Sequence, residues 1–198
     1  MSDALQQLKA ELERFGAAND AAVAERSRRM LNVTRDTGEL LSVLVRAAVA
    51  RRVLEIGTSN GYSTLWLAEA AQSIGGEVTT VERSDLKVAM ARANFERSGL
   101  SASIRQLHAA AGEVLARTAS ESVDLLFLDS ERTEYCAWWP DIDRVLRPGG
   151  LLVADNALSH AAEMADFIAR VGARSDWANC LVPIGNGEFL AVKNAPAP

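Results

Sequence analysis

Cysteine is nearly absent from this chain: only Cys136 and Cys180 occur, far apart and without C-x-x-C spacing. That excludes a disulfide framework and a zinc site built on paired cysteines. Positive charge is in deficit, with 21 Lys and Arg against 26 Asp and Glu and a formal net charge of −5. Such a balance offers no electrostatic footprint for a polyanion, so no nucleic acid is expected as a partner, and Arg26, Arg28 and Arg29 read as a solvated helix face. Long apolar runs are missing as well. The richest, at residues 40–50, is short and broken by Arg46, and the opening MSDALQQLKAEL has neither the basic region nor the apolar core of an export signal. These absences predict a cytoplasmic chain with no membrane partner. There is no Walker A loop, no GxGxxG, no internal repeat and no low-complexity tract, which argues against nucleoside triphosphates and against a nicotinamide dehydrogenase.

What is present is a balanced globular composition: 48% apolar and 24% charged residues over 198 positions. That length suits one domain with a sizeable core and is short for two domains plus a linker, so 1–198 reads as a single unit. In residues 3–31, Leu5, Leu8, Leu12 and Phe15 recur at helical spacing, Gly16 interrupts, and an alanine-rich stretch continues to Met30. These N-terminal helices, 1–33, are expected to cover the cleft or a second subunit, because an amphipathic pair does not leave its apolar faces in water. A further helix is expected near 36–49.

From residue 52 onward, short apolar runs alternate with helical stretches. RVLEI, EVTTVE, SIRQL, VDLLFLD and GGLLVAD are the expected strands; helices are expected at 64–71, 85–97, 111–117, 134–145 and 161–171. The alternation predicts a Rossmann-like, doubly wound, mostly parallel α/β sheet of seven strands with helices on both faces. WANCLVPI and EFLAVK, separated by Gly-Asn-Gly, predict a closing antiparallel hairpin, after which Asn-Ala-Pro-Ala-Pro reads as a frayed tail.

Ligands of open parallel sheets bind at the carboxyl ends of the strands, so the residues after each apolar run carry the functional signal. The first turn, Glu55-Ile56-Gly57-Thr58-Ser59-Asn60-Gly61-Tyr62-Ser63, holds a glycine that lets backbone approach a ligand, followed by a helix start whose free N–H groups suit a carboxylate. The second run ends at Glu82, whose carboxylate suits the two hydroxyls of a ribose. Either signal is commonplace by itself. Their order within one βαβ unit points to an adenosine-containing cofactor.

The stretch VLEIGTSNGYSTLWLA resembles the catechol and caffeoyl-coenzyme A O-methyltransferases among class I methyltransferases, and the likeness continues through TTVE, DLLFLD, RPGGLLVADN and VPIGNGEFLAVK. The resemblance implies S-adenosylmethionine as cofactor and a small hydroxylated, catechol-like aromatic as methyl acceptor, and a homodimer is a possible assembly. It places Val33, Glu55, Gly57 and Ser63 at the methionine end of the cofactor and Glu82 at its ribose. It also makes Asp129, Asp155 and Asn156 ligands of a divalent metal. Physically, two neighbouring strands about 4.8 Å apart would bring these three oxygens to one point. Two carboxylates and an amide carbonyl favour magnesium, manganese or calcium, which would polarise a chelated hydroxyl. The simpler alternative is an Asx turn or a helix cap at Asp155-Asn156.

Two departures qualify the resemblance. The family's lysine base, three residues after the first metal aspartate, is here Arg132, which keeps its proton and serves at most to hold an anionic oxygen beside Asp129. Where relatives carry an adenine-binding aspartate, Ala110 offers only its backbone N–H. His108 reads as a surface residue, and of Trp138 and Trp139 one is expected to pack in the core and the other to stack on the acceptor. A catalytically altered cofactor binder and a metal-independent N-methyltransferase are the competing readings.

Overall fold

The computed structural model describes residues 3–195. Its strands are β1 (Arg52–Ile56), β2 (Glu77–Glu82), β3 (Ile104–His108), β4 (Val123–Leu128), β5 (Leu146–Ala154), β6 (Trp177–Val182) and β7 (Glu188–Lys193). They form one sheet in the order β3-β2-β1-β4-β5-β7-β6, parallel through β5 and antiparallel from β5 to β7 and β6. The expected seven-stranded, mostly parallel sheet and its terminal hairpin are both present. The order reverses between β1 and β4, the position at which open α/β sheets leave a crevice.

The helices are α1 (Asp3–Ala22), α2 (Arg35–Ala47), α3 (Tyr62–Ser73), α4 (Asp85–Ser98), α5 (Ala111–Arg117), α6 (Tyr135–Val145) and α7 (Ala161–Gly172). One face of the sheet buries Val53, Leu125 and Phe127 under α1–α4; the other buries Leu54, Leu126 and Leu152 under α5–α7. The near-continuous apolar character of β4 follows from this, because all six of its residues are buried. Among the described residues no helix is long and apolar enough to cross a membrane.

The N-terminal region departs from the expectation of helix through residue 31. The helix α1 runs unbroken through Gly16, which packs against Asn32, and it ends at Ala22. Beyond it the chain turns through a short 3-10 segment, Arg26–Arg28, because the Asp20 carboxylate accepts the backbone N–H groups of Met30 (2.7 Å) and Leu31 (2.8 Å) and folds the chain back. The three arginines therefore lie on a turn rather than on a helix face. Leu5, Leu8 and Leu12 are buried in the same core as Trp66, whereas Phe15, which continues the periodicity, is exposed. Lys9 is fully buried beside them, paired with Glu69 at 2.7 Å and lying 3.5 Å from the centre of the Trp66 ring. The apolar face of α1 is thus covered within the chain.

The connection between the hairpin strands is longer than Gly-Asn-Gly alone. Residues 183–187 form a five-residue connection, in which Gly185 (φ +57) lies so near α2 that a Cβ there would stand 2.3 Å from Thr37 Oγ1. The carbonyl of Asn186 accepts from Leu158 and Ser159, so the hairpin end is tied to the loop after β5. Asn194 bonds the Asp176 carbonyl at 2.8 Å, which anchors the start of the expected tail; residues 196–198 lie outside the described residues.

Candidate active site

The register of the sheet builds the site. Ile56 pairs with Leu128 and Leu128 with Ala154, so Gly57, Asp129 and Asp155 stand in a row where β1, β4 and β5 end. Asp129 N–H donates to the Ile56 carbonyl (2.9 Å) and Asp155 N–H to that of Leu128 (3.0 Å), continuing the ladder by one residue. Gly57 has φ +109, and a Cβ there would lie 1.9 Å from the Asp129 carbonyl oxygen. Only glycine allows the two strand ends to approach so closely.

A cleft of about 800 Å³ opens over this row. On its β2–β3 side stand Gly57, Ser59, Glu82 and the turn Ala109–Gly112; on its β4–β5 side stand Asp129, Arg132, Asn156 and His160. Arg26, Met30 and Leu31 border it from the segment after α1. Ser59 ties that segment down, its hydroxyl donating to the Met30 carbonyl at 2.6 Å.

Glu82 is held from three directions. Its Oε1 accepts from the backbone N–H groups of Arg83 and Ser84, both at 2.9 Å, and its Oε2 from Ser59 N–H at 2.9 Å. A carboxylate has about four acceptor sites, so the second oxygen keeps capacity facing the cleft. Ala110 lines the same wall at the N-cap of α5. Trp138 is half-buried on this wall too, its indole nitrogen 3.1 Å from where a Cβ on Gly112 would stand, whereas Trp139 is buried against Phe167 and Trp177. The two tryptophans divide between cleft and core as the sequence suggests, but Trp138 lies beside Ala111 and Gly112, on the Glu82 side. His108 is on the outer surface, against the Arg83 carbonyl and near Asp85.

Glu55, Ser63 and Val33 do not line the cleft. Glu55 is fully buried beneath the glycine turn and accepts from the hydroxyls of Ser63 (2.6 Å), Thr80 (2.6 Å) and Thr64. Thr80 reaches it because Glu55 and Thr80 are register partners across β1 and β2. Loss of water raises the Glu55 carboxyl to about 7, against the pull of the three hydroxyl bonds.

The three residues suggested for a metal do come together, but the amide oxygen of Asn156 is already held by an arginine. Asn156 Oδ1 accepts from Arg132 Nη1 at 3.0 Å, and Arg132 Nε donates to Glu163 Oε2 at 2.9 Å. Asp155, itself buried, accepts the Asn156 N–H at 2.7 Å and lies near the buried carboxyl of Glu188, whose Oε1 accepts from Thr37 Oγ1 at 2.9 Å and whose Oε2 has no hydrogen-bond partner among the described residues. Burial first, and then the charge of Asp155, push Glu188 far above the usual carboxylate range; burial likewise raises Asp129 and Asp155. A hard cation bonds oxygen at roughly 2.0–2.6 Å. One bound to Asn156 Oδ1 would meet the Arg132 guanidinium. Among the described residues no three His, Cys, Asp or Glu side chains converge as a ligand set. The donor set in this arrangement does not fit a divalent ion.

Glu163, Glu188 and His160 were not singled out in the sequence. Their signals are faint: Glu188 directly follows Gly-Asn-Gly, and His160 and Glu163 lie four and seven residues after Asn156. Only the closure of the β5 loop over the hairpin end brings them to the site.

A family model described as O-methyltransferase matches residues 6–193. The chain belongs to the O-methyltransferase family. It is 34% identical over 150 residues to a catechol O-methyltransferase of Mycobacterium tuberculosis, and 31% identical over 140 residues to one of Niastella koreensis. Those matches cover 76% and 69% of this chain but only 66% and 63% of the two relatives, so the chain matches less than two thirds of their length. The fold superposes on an O-methyltransferase from Bacillus cereus solved in complex with SAH, with TM-score 0.80 and 26% identity, over 95% of this chain and 91% of that one.

Proposed function

We propose that the chain transfers a methyl group from S-adenosylmethionine to an oxygen of a small aromatic molecule. The observation that carries this reading is the fixed Glu82 carboxylate facing a glycine-floored cleft, in a chain of the O-methyltransferase family. Glu82 would accept from the cofactor's ribose hydroxyls, the Ala109–Gly112 turn and Trp138 would form the wall beside its adenine, and Gly57 would floor its methionine end. Glu55 and Ser63 support the floor from beneath, and Val33 packs in the core behind the segment that borders the cleft. The SAH complex of the Bacillus cereus relative supports the cofactor assignment, and the names of the catechol O-methyltransferases support an aromatic hydroxyl as acceptor.

The sulfonium is already activated, so the residues of the chain need only align acceptor and methyl group and exclude water. Bound S-adenosylmethionine would supply a methyl group whose carbon–sulfur bond breaks with its electron pair kept by sulfur, while the acceptor hydroxyl would lose its proton to solvent. Arg132, Asn156 and His160 border the half of the cleft where the acceptor lies. Arg132 holds the oxygen and takes no proton. Calorimetry with S-adenosylhomocysteine, together with transfer of labelled methyl to a panel of phenols, tests the reading. Micromolar binding and a methyl ether product support it; absence of cofactor binding refutes it.

A further inference from the structure

The cation seat of this site is already filled by a side chain. Arg132 is 6% exposed and reaches across the end of β4 to the loop after β5. Two of its nitrogens are fixed, Nε by the Glu163 carboxylate at 2.9 Å and Nη1 by the Asn156 carbonyl oxygen at 3.0 Å. No described residue accepts from its Nη2, and the residue lines the cleft. Glu163 belongs to α7 and Asn156 to the preceding loop, so the guanidinium is clamped between two elements rather than swinging in solvent. The Asp155 carboxylate accepts the Asn156 N–H through Oδ1 at 2.7 Å. The amide oxygen a divalent ion would need is thereby taken by a positive charge, and any ion seated beside it would face that charge.

Resting on the methyl-transfer reading above, we propose that Arg132 is the built-in cation of this site: it stands where a divalent metal would, and it holds the acceptor through one oxygen. Chelation by a metal demands two adjacent oxygens on the acceptor. A guanidinium with one outward nitrogen demands one. The acceptor class is therefore widened from vicinal diols to planar aromatics with a single hydroxyl, and turnover is independent of divalent cations. In the transfer itself the acceptor oxygen forms the new carbon–oxygen bond, the sulfonium takes back the electron pair of the broken carbon–sulfur bond, and the hydroxyl proton leaves to buffer. Arginine carries none of that proton traffic, since it stays charged throughout.

The test begins with the wild-type protein and manganese. In electron paramagnetic resonance, the complex with S-adenosylhomocysteine should show no stoichiometric manganese binding at concentrations of about 100 µM, the upper part of the range that carboxylate-rich protein sites reach for hard cations. Arg132→Ala frees Asn156 Oδ1 and removes the repelling charge, and should raise manganese affinity at least about tenfold. In excess chelator, wild type should methylate a monohydroxylated phenol at a rate within about twofold of that without chelator. Tight manganese binding by wild type, or methylation confined to diols and abolished by chelator, overturns the proposal. An Arg132→Ala variant that folds but gains no manganese affinity also overturns it; should that variant not fold, the two wild-type measurements decide alone. Failure of the methyl-transfer reading is distinguishable, since it would appear as absent S-adenosylhomocysteine binding whatever manganese does.

Discussion

At the scale of single residues, the cleft has two walls that substitutions separate. Glu82→Ala should weaken S-adenosylhomocysteine binding by roughly 1.5–3 kcal/mol, the range for hydrogen bonds to a charged group. It should also lower thermal stability modestly, because three backbone N–H groups lose their acceptor. Unchanged affinity by calorimetry would remove Glu82 from the ribose. Trp138 stands on the same wall as Ala110, so Trp138→Ala should cost about 1 kcal/mol of cofactor affinity, the typical value of an aromatic stacking contact. A raised KM for the acceptor with unchanged cofactor affinity would instead place the indole beside the acceptor. The strand-end acids are legible in the sequence because apolar runs end on them, and Arg132 because it stands three residues after Asp129. What engages them is not, since Glu163 and Glu188 come from segments 31 and 56 residues away from Arg132.

At the scale of elements, α1 is held by Leu5, Leu8 and Leu12 against α3 and α4, with Lys9 pinned beneath the Trp66 ring. Leu12→Ala should destabilise the fold by about 2–5 kcal/mol, as removal of a fully buried leucine side chain does. Cofactor affinity in the folded protein should be unaffected, because Leu12 does not border the cleft. Chemical denaturation and calorimetry check both halves of this expectation; a stability change below about 1 kcal/mol, less than a buried leucine normally costs, would mean that α1 adds little to the core. The helix was visible in its leucine spacing, but its end was not. Asp20 stops it by capturing Met30 and Leu31, ten and eleven residues away, and no local propensity encodes that pairing.

At the scale of the whole molecule, the buried Glu55 couples stability to pH. Its carboxyl titrates near 4.5 when exposed in the unfolded chain and is raised to about 7 in the fold. The folded state therefore holds the proton more tightly: its stability is highest below about pH 4.5 as far as this group is concerned, and falls as pH rises to about 7. The loss is on the order of 3 kcal/mol. Glu55→Gln keeps the shape without the titration, and its amide can bond the hydroxyls of Ser63, Thr64 and Thr80. Denaturation midpoints of wild type should fall between pH 5 and pH 8 by more than those of the variant. Parallel profiles would show that Glu55 is not the titrating group.

The sequence by itself determined the order of strands and helices, the seven-stranded sheet with its reversed hairpin, and the row of residues at the strand ends. Those follow from local periodicity and from register, both of which neighbouring residues dictate. Only the tertiary structure decided that Glu55 and Ser63 lie under the floor rather than in the cleft, and that the amide oxygen of Asn156 is already held by Arg132. Those outcomes depend on which side chains meet across the sheet and the closing loop. A strand pattern shows where an acid ends a strand, but the partner that satisfies its charge is chosen by packing between segments far apart in the chain.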